Sequence, residues 1–160
     1  MIIVTVGTQL AFDRLIKMVD ELAPSLKQEV FAQIGAGSYT PKYHAWSANV
    51  EASEFDERLK HCSIIVSHAG IGTVLKAYRY MKPIVLVPRL SSLGEHRNDH
   101  QLATVSQLKN RPGIYVAGSK EELKDLLHGD LRPAVAASDM EASKERLLGY
   151  VRQTMVEMLT

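Results

Sequence analysis

A glycine-rich segment with a histidine and a threonine carries the strongest chemical signal in the sequence. Residues 67–73 read SHAGIGT and lie between an apolar strand pattern and a helical pattern. Gly70 and Gly72 let a ligand approach the main chain, and the free amides at the start of the next helix attract phosphate. His68 and Thr73 can donate further hydrogen bonds to a pyrophosphate oxygen. The alternative is a tight turn whose glycines serve packing alone.

A second polar segment, residues 94–101, reads GEHRNDHQ and follows a later strand. The Glu95 carboxylate can accept hydrogen bonds from both hydroxyls of a ribose or sugar. Asn98, Asp99 or Gln101 can distinguish the stereochemistry of a sugar. The alternative is a solvated loop in which Asn98 caps the following helix.

The first turn, Gly7-Thr8-Gln9 with Asp13 and Arg14 behind it, is a third candidate. Its amides could face a phosphate or an acceptor hydroxyl, and a capped helix start explains it at least as well. The pattern G-x-G-x-x-G, expected after the first strand of a nicotinamide-binding domain, is absent there. A nicotinamide-dependent oxidoreductase is therefore a weaker hypothesis.

Metal and thiol chemistry have little support in the sequence. His96 and His100 stand four residues apart, but no third ligand of suitable spacing accompanies them. Cys62 is the only cysteine, which excludes an intramolecular disulfide, and its place before an apolar strand predicts a buried structural thiol. We expect neither a bound metal nor a cofactor.

Strand and helix patterns alternate along the chain, which predicts a Rossmann-like, doubly wound parallel α/β sheet of about six strands in one domain, residues 1–160. Ligands bind such sheets beyond the carboxyl ends of the strands. The predicted strands are residues 2–6, 30–34, 46–50, 63–67, 84–87 and 113–116; the predicted helices are residues 12–23, 55–61, 74–81, 100–109, 120–128 and about 140–159.

Composition favours a cytoplasmic protein. The formal net charge is +1 with acids and bases interspersed, so a general attraction to nucleic acid or anionic lipid is not expected. The apolar start, Met1 to Val6, lacks the basic residues and length of a signal peptide. No apolar stretch approaches the roughly 20 residues of a spanning helix, so an association with a membrane would need a partner.

Taken together, these motifs resemble the C-terminal donor-binding domain of GT-B transferases of the MurG type, glycosyltransferase family 28. More closely, they resemble small stand-alone subunits: the PssE type and the catalytic subunit of the dolichol-pathway UDP-GlcNAc transferase. The matching segments are VTVGTQ at 4–9, FDRLI at 12–16, SHAGIGT at 67–73, KPI at 82–84, and Glu95, His96, Asn98, His100 and Gln101.

The resemblance implies a single GT-B half that binds a UDP-sugar and transfers the sugar with inversion. It assigns diphosphate contacts to His68, Gly70, Gly72 and Thr73, and we expect Gly7 and Thr8 of the first turn to contact the diphosphate as well. It assigns contacts with the donor's sugars to Glu95, Asn98 and Gln101. His68 is implied to stabilise the departing UDP, and His96 is a candidate general base.

The acceptor-binding domain of MurG has no counterpart in this sequence. The resemblance therefore implies a membrane-anchored, PssD-like partner, a polyprenyl-linked acceptor in exopolysaccharide or capsule synthesis, and a peripheral location at the inner face of the membrane. The alternative is a non-catalytic nucleotide-binding or scaffold subunit. The sugar is left open, although Arg89 or Arg97 could pair with a glucuronate carboxylate or a phosphate.

Overall fold

The computed structural model describes residues 1–135, which form one six-stranded parallel sheet with helices on both faces. The predicted fold class is thereby confirmed. The strand order is β3-β2-β1-β4-β5-β6. The strands are β1 Ile2–Thr5, β2 Val30–Gln33, β3 Ala45–Ser47, β4 Ile64–His68, β5 Ile84–Val87 and β6 Ile114–Val116.

Five α-helices connect or follow the strands: α1 Asp13–Leu22, α2 Ala52–His61, α3 Ile71–Arg79, α4 His100–Leu108 and α5 Lys120–His128. Short 3-10 turns cover Ala23–Ser25 and Ser91–Leu93. Among residues 1–135, no helix has the length and apolar character needed to cross a bilayer. The final helix predicted near 140–159 lies outside the described residues.

Two apolar cores lie on opposite faces of the sheet because successive side chains of a strand point to opposite faces. Ile2 and Val4 join a core with α1 and α5, whereas Ile3 joins a core with α2, α3 and α4. Burial on both faces explains why the central strands are continuous β-branched runs rather than alternating patterns.

Three elements differ from the sequence prediction by three residues at one end, while the other described elements agree within one residue. Helix α2 begins three residues early because the Glu51 side chain caps it, accepting hydrogen bonds from the amides of Ser53 and Glu54 at 3.1 and 3.4 Å. Helix α3 begins at Ile71, so the second glycine of the 67–73 segment is already helical. The third strand is Ala45–Ser47 rather than residues 46–50, and it lies at the sheet edge.

Candidate functional site

The candidate site lies where the strand order reverses. From β1 the chain proceeds to β2 and β3 on one side, and from β4 it proceeds to β5 and β6 on the other. At such a switch point the loops after two neighbouring strands diverge and leave a crevice at the carboxyl edge of the sheet. Gly7 follows β1 and His68 ends β4, so both motifs border this crevice.

A cavity of about 500 Å³ occupies the crevice. It brings together eight of the residues predicted from the sequence: Gly7, Thr8, His68, Gly70, Gly72, Thr73, His96 and Gln101. Lys76 and Arg89 are the lysine and arginine that line it, and no aspartate or glutamate is among the described lining residues. An anion entering the cavity would therefore meet cations and amides without facing a carboxylate.

His68 lies between two glycines of different loops. A Cβ atom added to Gly7 would lie 2.8 Å from the His68 Cε1 atom, and one added to Gly70 would collide with its Nε2 atom. Gly7 also has a φ of +76°, which strains any side chain larger than hydrogen. The glycines of this site thus make room for the imidazole as well as for a ligand.

The His68 imidazole is neutral at physiological pH. Burial, followed by the nearby positive charge of Arg89, lowers its pKa from 6.5 to about 4, although a hydrogen bond with the Thr5 main chain acts in the opposite direction. A neutral imidazole has one N–H donor and one acceptor nitrogen. Its single N–H can therefore bond either to the Thr5 carbonyl or to a phosphate, and its second nitrogen is an acceptor.

This low pKa predicts a pH dependence of folding stability. The unfolded chain binds a proton at His68 near pH 6.5 and the folded chain only near pH 4, so stability is complete above pH 6.5 and declines toward pH 4. The decline attributable to His68 is roughly 3 kcal/mol. Urea unfolding between pH 7 and 4.5 should show a smaller decline for His68→Gln; parallel curves for the two proteins would contradict the prediction.

The start of helix α3 faces the cavity. Gly70 is its N-cap residue, and Gly72 and Thr73 occupy its first turn, where the amides have no partner within the helix. A Cβ atom added to Gly72 would meet nothing within 4 Å. Packing therefore does not explain this glycine, and the space beside it is open to a ligand.

Only some residues of the second predicted motif, residues 94–101, line the cavity. Gln101 lines the cavity, and its side-chain oxygen accepts hydrogen bonds from the amides of Ala69 and Arg89 at 3.2 and 3.0 Å. Glu95 lies outside the lining residues and forms a bidentate ion pair with Arg14, at 2.7 and 2.9 Å. Asn98 is likewise outside, where its oxygen accepts from the amide of His100 at 3.2 Å.

The remaining histidine candidates do not form a metal cluster. His96 lines the cavity, and its Nδ1 atom accepts a hydrogen bond from the Asn98 amide at 3.4 Å. Within residues 1–135 there is no group of three or more His, Cys, Asp or Glu side chains placed to hold a metal ion. Cys62 is buried, as predicted, and burial raises the pKa of its thiol to about 11.

One wall of the cavity was not predicted from the sequence. It comprises Gln33 at the end of β2 and Val50, Ala52 and Phe55 around the start of α2. Lys76 lies on this side, with its Nζ atom 2.6 Å from the Asp56 carboxylate and 5.2 Å from the centre of the Phe55 ring. These residues carry no phosphate-binding pattern, and only the sheet topology brings them to the crevice.

Comparisons with known proteins agree with this geometry. The human UDP-N-acetylglucosamine transferase subunit ALG13 is 31% identical over 127 residues, which cover 71% of this chain and 11% of that protein. MurG of Acinetobacter baumannii has a TM-score of 0.56 at 19% identity, over 78% of this chain and 39% of MurG.

A further solved structure, the kitacinnamycin glycotransferase, has a TM-score of 0.53 at 16% identity, over 78% of this chain and 33% of its own. The chain thus spans about a tenth of the curated relative and little more than a third of these structures. The sequence profile of the glycosyltransferase family 28 C-terminal domain matches residues 1–146. This chain therefore belongs to glycosyltransferase family 28 and carries the C-terminal domain of that family.

Proposed function

We propose that the chain binds a UDP-sugar in the crevice between β1 and β4 and supplies the donor site of a glycosyltransferase. The open space beside Gly72, at the start of α3, is the observation that carries this proposal. A diphosphate there meets free amides, the positive end of the helix dipole and the hydroxyl of Thr73. The absence of carboxylates among the described lining residues removes the repulsion that a diphosphate would otherwise meet.

The proposed reaction is direct, inverting displacement of UDP by an acceptor hydroxyl, without a bound metal. The bond between the anomeric carbon and the β-phosphate oxygen breaks as the acceptor oxygen attacks from the opposite face. Negative charge then develops on the departing phosphate, where the α3 amides, Thr73 and His68 stabilise it. Gly7 and Thr8 complete the phosphate-binding wall on the other side of His68.

A general base must remove the proton of the acceptor hydroxyl. His96 is our candidate on this chain, because it lines the cavity on the loop after β5. Glu95, Asn98 and Gln101 stay proposed as contacts for the donor's sugars. For Glu95 this requires that an outer lone pair of its carboxylate remain available beside the Arg14 pair.

We further propose that a second polypeptide presents the acceptor. The human relative is itself named a subunit of a UDP-N-acetylglucosamine transferase, which supports a heteromeric arrangement. The proposed partner is a PssD-like, membrane-anchored subunit that binds a polyprenyl-linked glycan in exopolysaccharide, capsule or related synthesis. This chain would then act at the cytoplasmic face of the membrane through that partner.

Calorimetric titration of the purified chain with UDP, UDP-sugars, NAD and NADP tests the donor assignment. We expect UDP and at least one UDP-sugar to bind and the two nicotinamide nucleotides not to bind. Binding of NAD or NADP alone would favour an oxidoreductase. Absence of UDP binding, with and without a candidate partner, would contradict the proposal and favour a scaffold subunit.

A further inference from the structure

Arg89 is a fully enclosed cation at the carboxyl edge of the sheet. Less than 2% of its side chain is exposed to solvent, and it is one of the largest side chains buried to that extent. The guanidinium donates to the carbonyls of Val6 and Leu10 at 2.8 and 2.7 Å, to that of Ala11, and to that of Glu95 at 3.4 Å. Arg89 therefore holds the loop between β1 and α1, most of which lines the cavity.

A second arginine, Arg14, connects the same two regions in the opposite direction. Arg14 extends from α1 to the loop after β5, where it donates to the Pro88 carbonyl at 2.8 Å and to both oxygens of Glu95. Glu95 also accepts from the Leu90 amide at 2.9 Å. β1 and β5 are not neighbours in the sheet, so the two arginines connect loops on either side of β4 and His68.

The charges in this cluster do not balance. Two guanidinium groups, Arg14 and Arg89, accompany one carboxylate, Glu95, and the hydrogen-bonded ion pair joins Glu95 to Arg14. All the hydrogen bonds described for the Arg89 side chain end on neutral carbonyl oxygens. Glu95 acts on Arg89 electrostatically, but both of its carboxylate oxygens bond to Arg14. A buried guanidinium stays protonated at neutral pH, so two positive charges face one negative charge at the cavity wall.

We propose that the excess positive charge centred on Arg89 makes the cavity selective for a diphosphate over a monophosphate, and that Arg14 preserves this excess by engaging both carboxylate oxygens of Glu95. The inference rests on the proposed nucleotide site. It adds the reason why that site would prefer the more highly charged ligand. Arg89 is thus a positioning residue for the β1–α1 loop and the main fixed charge at its side of the cavity. Bonds to protein carbonyls occupy four of its five N–H donors, so we do not assign to it a bidentate contact with a glucuronate carboxylate.

Arg89 lines the same cavity as His68 and the start of α3. Its positive charge also contributes to the low pKa of His68. A charge held by rigid hydrogen bonds in a poorly hydrated wall interacts with an anion more strongly than one on a mobile surface side chain. A diphosphate, which carries more negative charge than a monophosphate, therefore gains more binding free energy from this interaction.

Two substitutions that break the Arg14–Glu95 ion pair distinguish an effect of charge from the loss of a structural contact. Arg14→Gln releases the carboxylate of Glu95 to compensate Arg89, whereas Glu95→Gln leaves two guanidinium groups uncompensated. We expect the ratio of UMP to UDP dissociation constants to fall about threefold to tenfold in Arg14→Gln and to rise by a similar factor in Glu95→Gln. Both shifts should shrink as salt is raised. Calorimetry with UDP and UMP at low ionic strength measures these ratios.

If the ion pair serves structure alone, both variants loosen the same contact and the ratio moves in the same direction or not at all, which would overturn the inference. Equal affinity of the unaltered chain for UDP and UMP would also overturn it while leaving the nucleotide site intact. No UDP binding by the unaltered chain would instead remove the proposed function together with this inference.

Should either variant fail to fold, Arg89→Lys provides a second test. Lysine keeps the positive charge but cannot reproduce the guanidinium's set of carbonyl hydrogen bonds. We expect the affinities for UDP and UMP to fall by similar factors, so that their ratio stays within about twofold of the unaltered value. A ratio that collapses to one in this folded variant would show that the Arg89 charge does not set the preference.

Discussion

Gly72→Ala is expected to weaken UDP binding about tenfold to a hundredfold without lowering the stability of the fold. The added methyl group meets no protein atom within 4 Å. In the proposed site it would occupy the space between a phosphate and the first amides of α3. Hydrogen bonds to a charged group contribute about 1.5–3 kcal/mol, which sets the expected loss of affinity. Alanine also suits a helix better than glycine, by up to about 1 kcal/mol. Calorimetry and thermal unfolding on the same samples test both statements.

Gly129→Ala is the matched control for Gly72→Ala. It introduces the same methyl group at the C-cap of α5, where φ is −85° and the nearest contact of the new atom is an ordinary 3.4 Å. UDP binding should be unchanged in this variant. Unchanged UDP affinity in Gly72→Ala, with the fold intact, would mean that no phosphate approaches the start of α3.

Substitutions of His68 are expected to separate its hydrogen bond from its packing. His68→Phe fills the space between Gly7 and Gly70 but removes both ring nitrogens, whereas His68→Gln keeps an N–H donor with a poorer shape. Loss of one stabilising donor lowers transfer rates by about 10²–10³-fold in comparable sites, so we expect this loss for His68→Phe and a smaller one for His68→Gln. Transfer assays with the proposed acceptor-binding partner measure the rates.

The opposite order would change the role assigned to His68. If His68→Phe retains more activity than His68→Gln, the ring acts mainly as a spacer between the two glycine-containing loops. Thermal unfolding of both variants is the necessary control, because the ring is largely buried and a polar amide in its place can destabilise the fold. Rates are then compared only at temperatures at which both variants are folded.

The sheet could be predicted from sequence because its signals are local. Ile2, Ile3 and Val4 form a β-branched run that suits only a strand buried on both faces, and the structure gives this strand parallel neighbours on both sides. The helix over residues 120–128 was likewise predicted, and it begins where the Ser119 side chain accepts a hydrogen bond from the Glu122 amide at 3.2 Å. The position of the glycine-rich segment 67–73 at the junction of β4 and α3 follows from the same local signals.

The residues that support the cavity could not be predicted in this way. Glu95 and Arg14 are 81 positions apart, and their ion pair depends on the order of the strands in the sheet. Arg89 reads as a loop cation in the sequence, yet its side chain is enclosed by carbonyls from residues 6–11. Such contacts follow from the topology of the sheet, and no local sequence pattern near these residues predicts them.

Amide chemical shifts during a UDP titration test the central claim most directly. In a ¹⁵N-labelled chain, we expect the largest shift changes at Gly7, Thr8, Gly70, Gly72 and Thr73, which border the cavity at the carboxyl edge of the sheet. A second cavity, lined in part by Phe31, Tyr43 and Arg58, provides an internal comparison. Changes centred on that second cavity, or no saturable change anywhere with or without the partner, would contradict a donor site between β1 and β4.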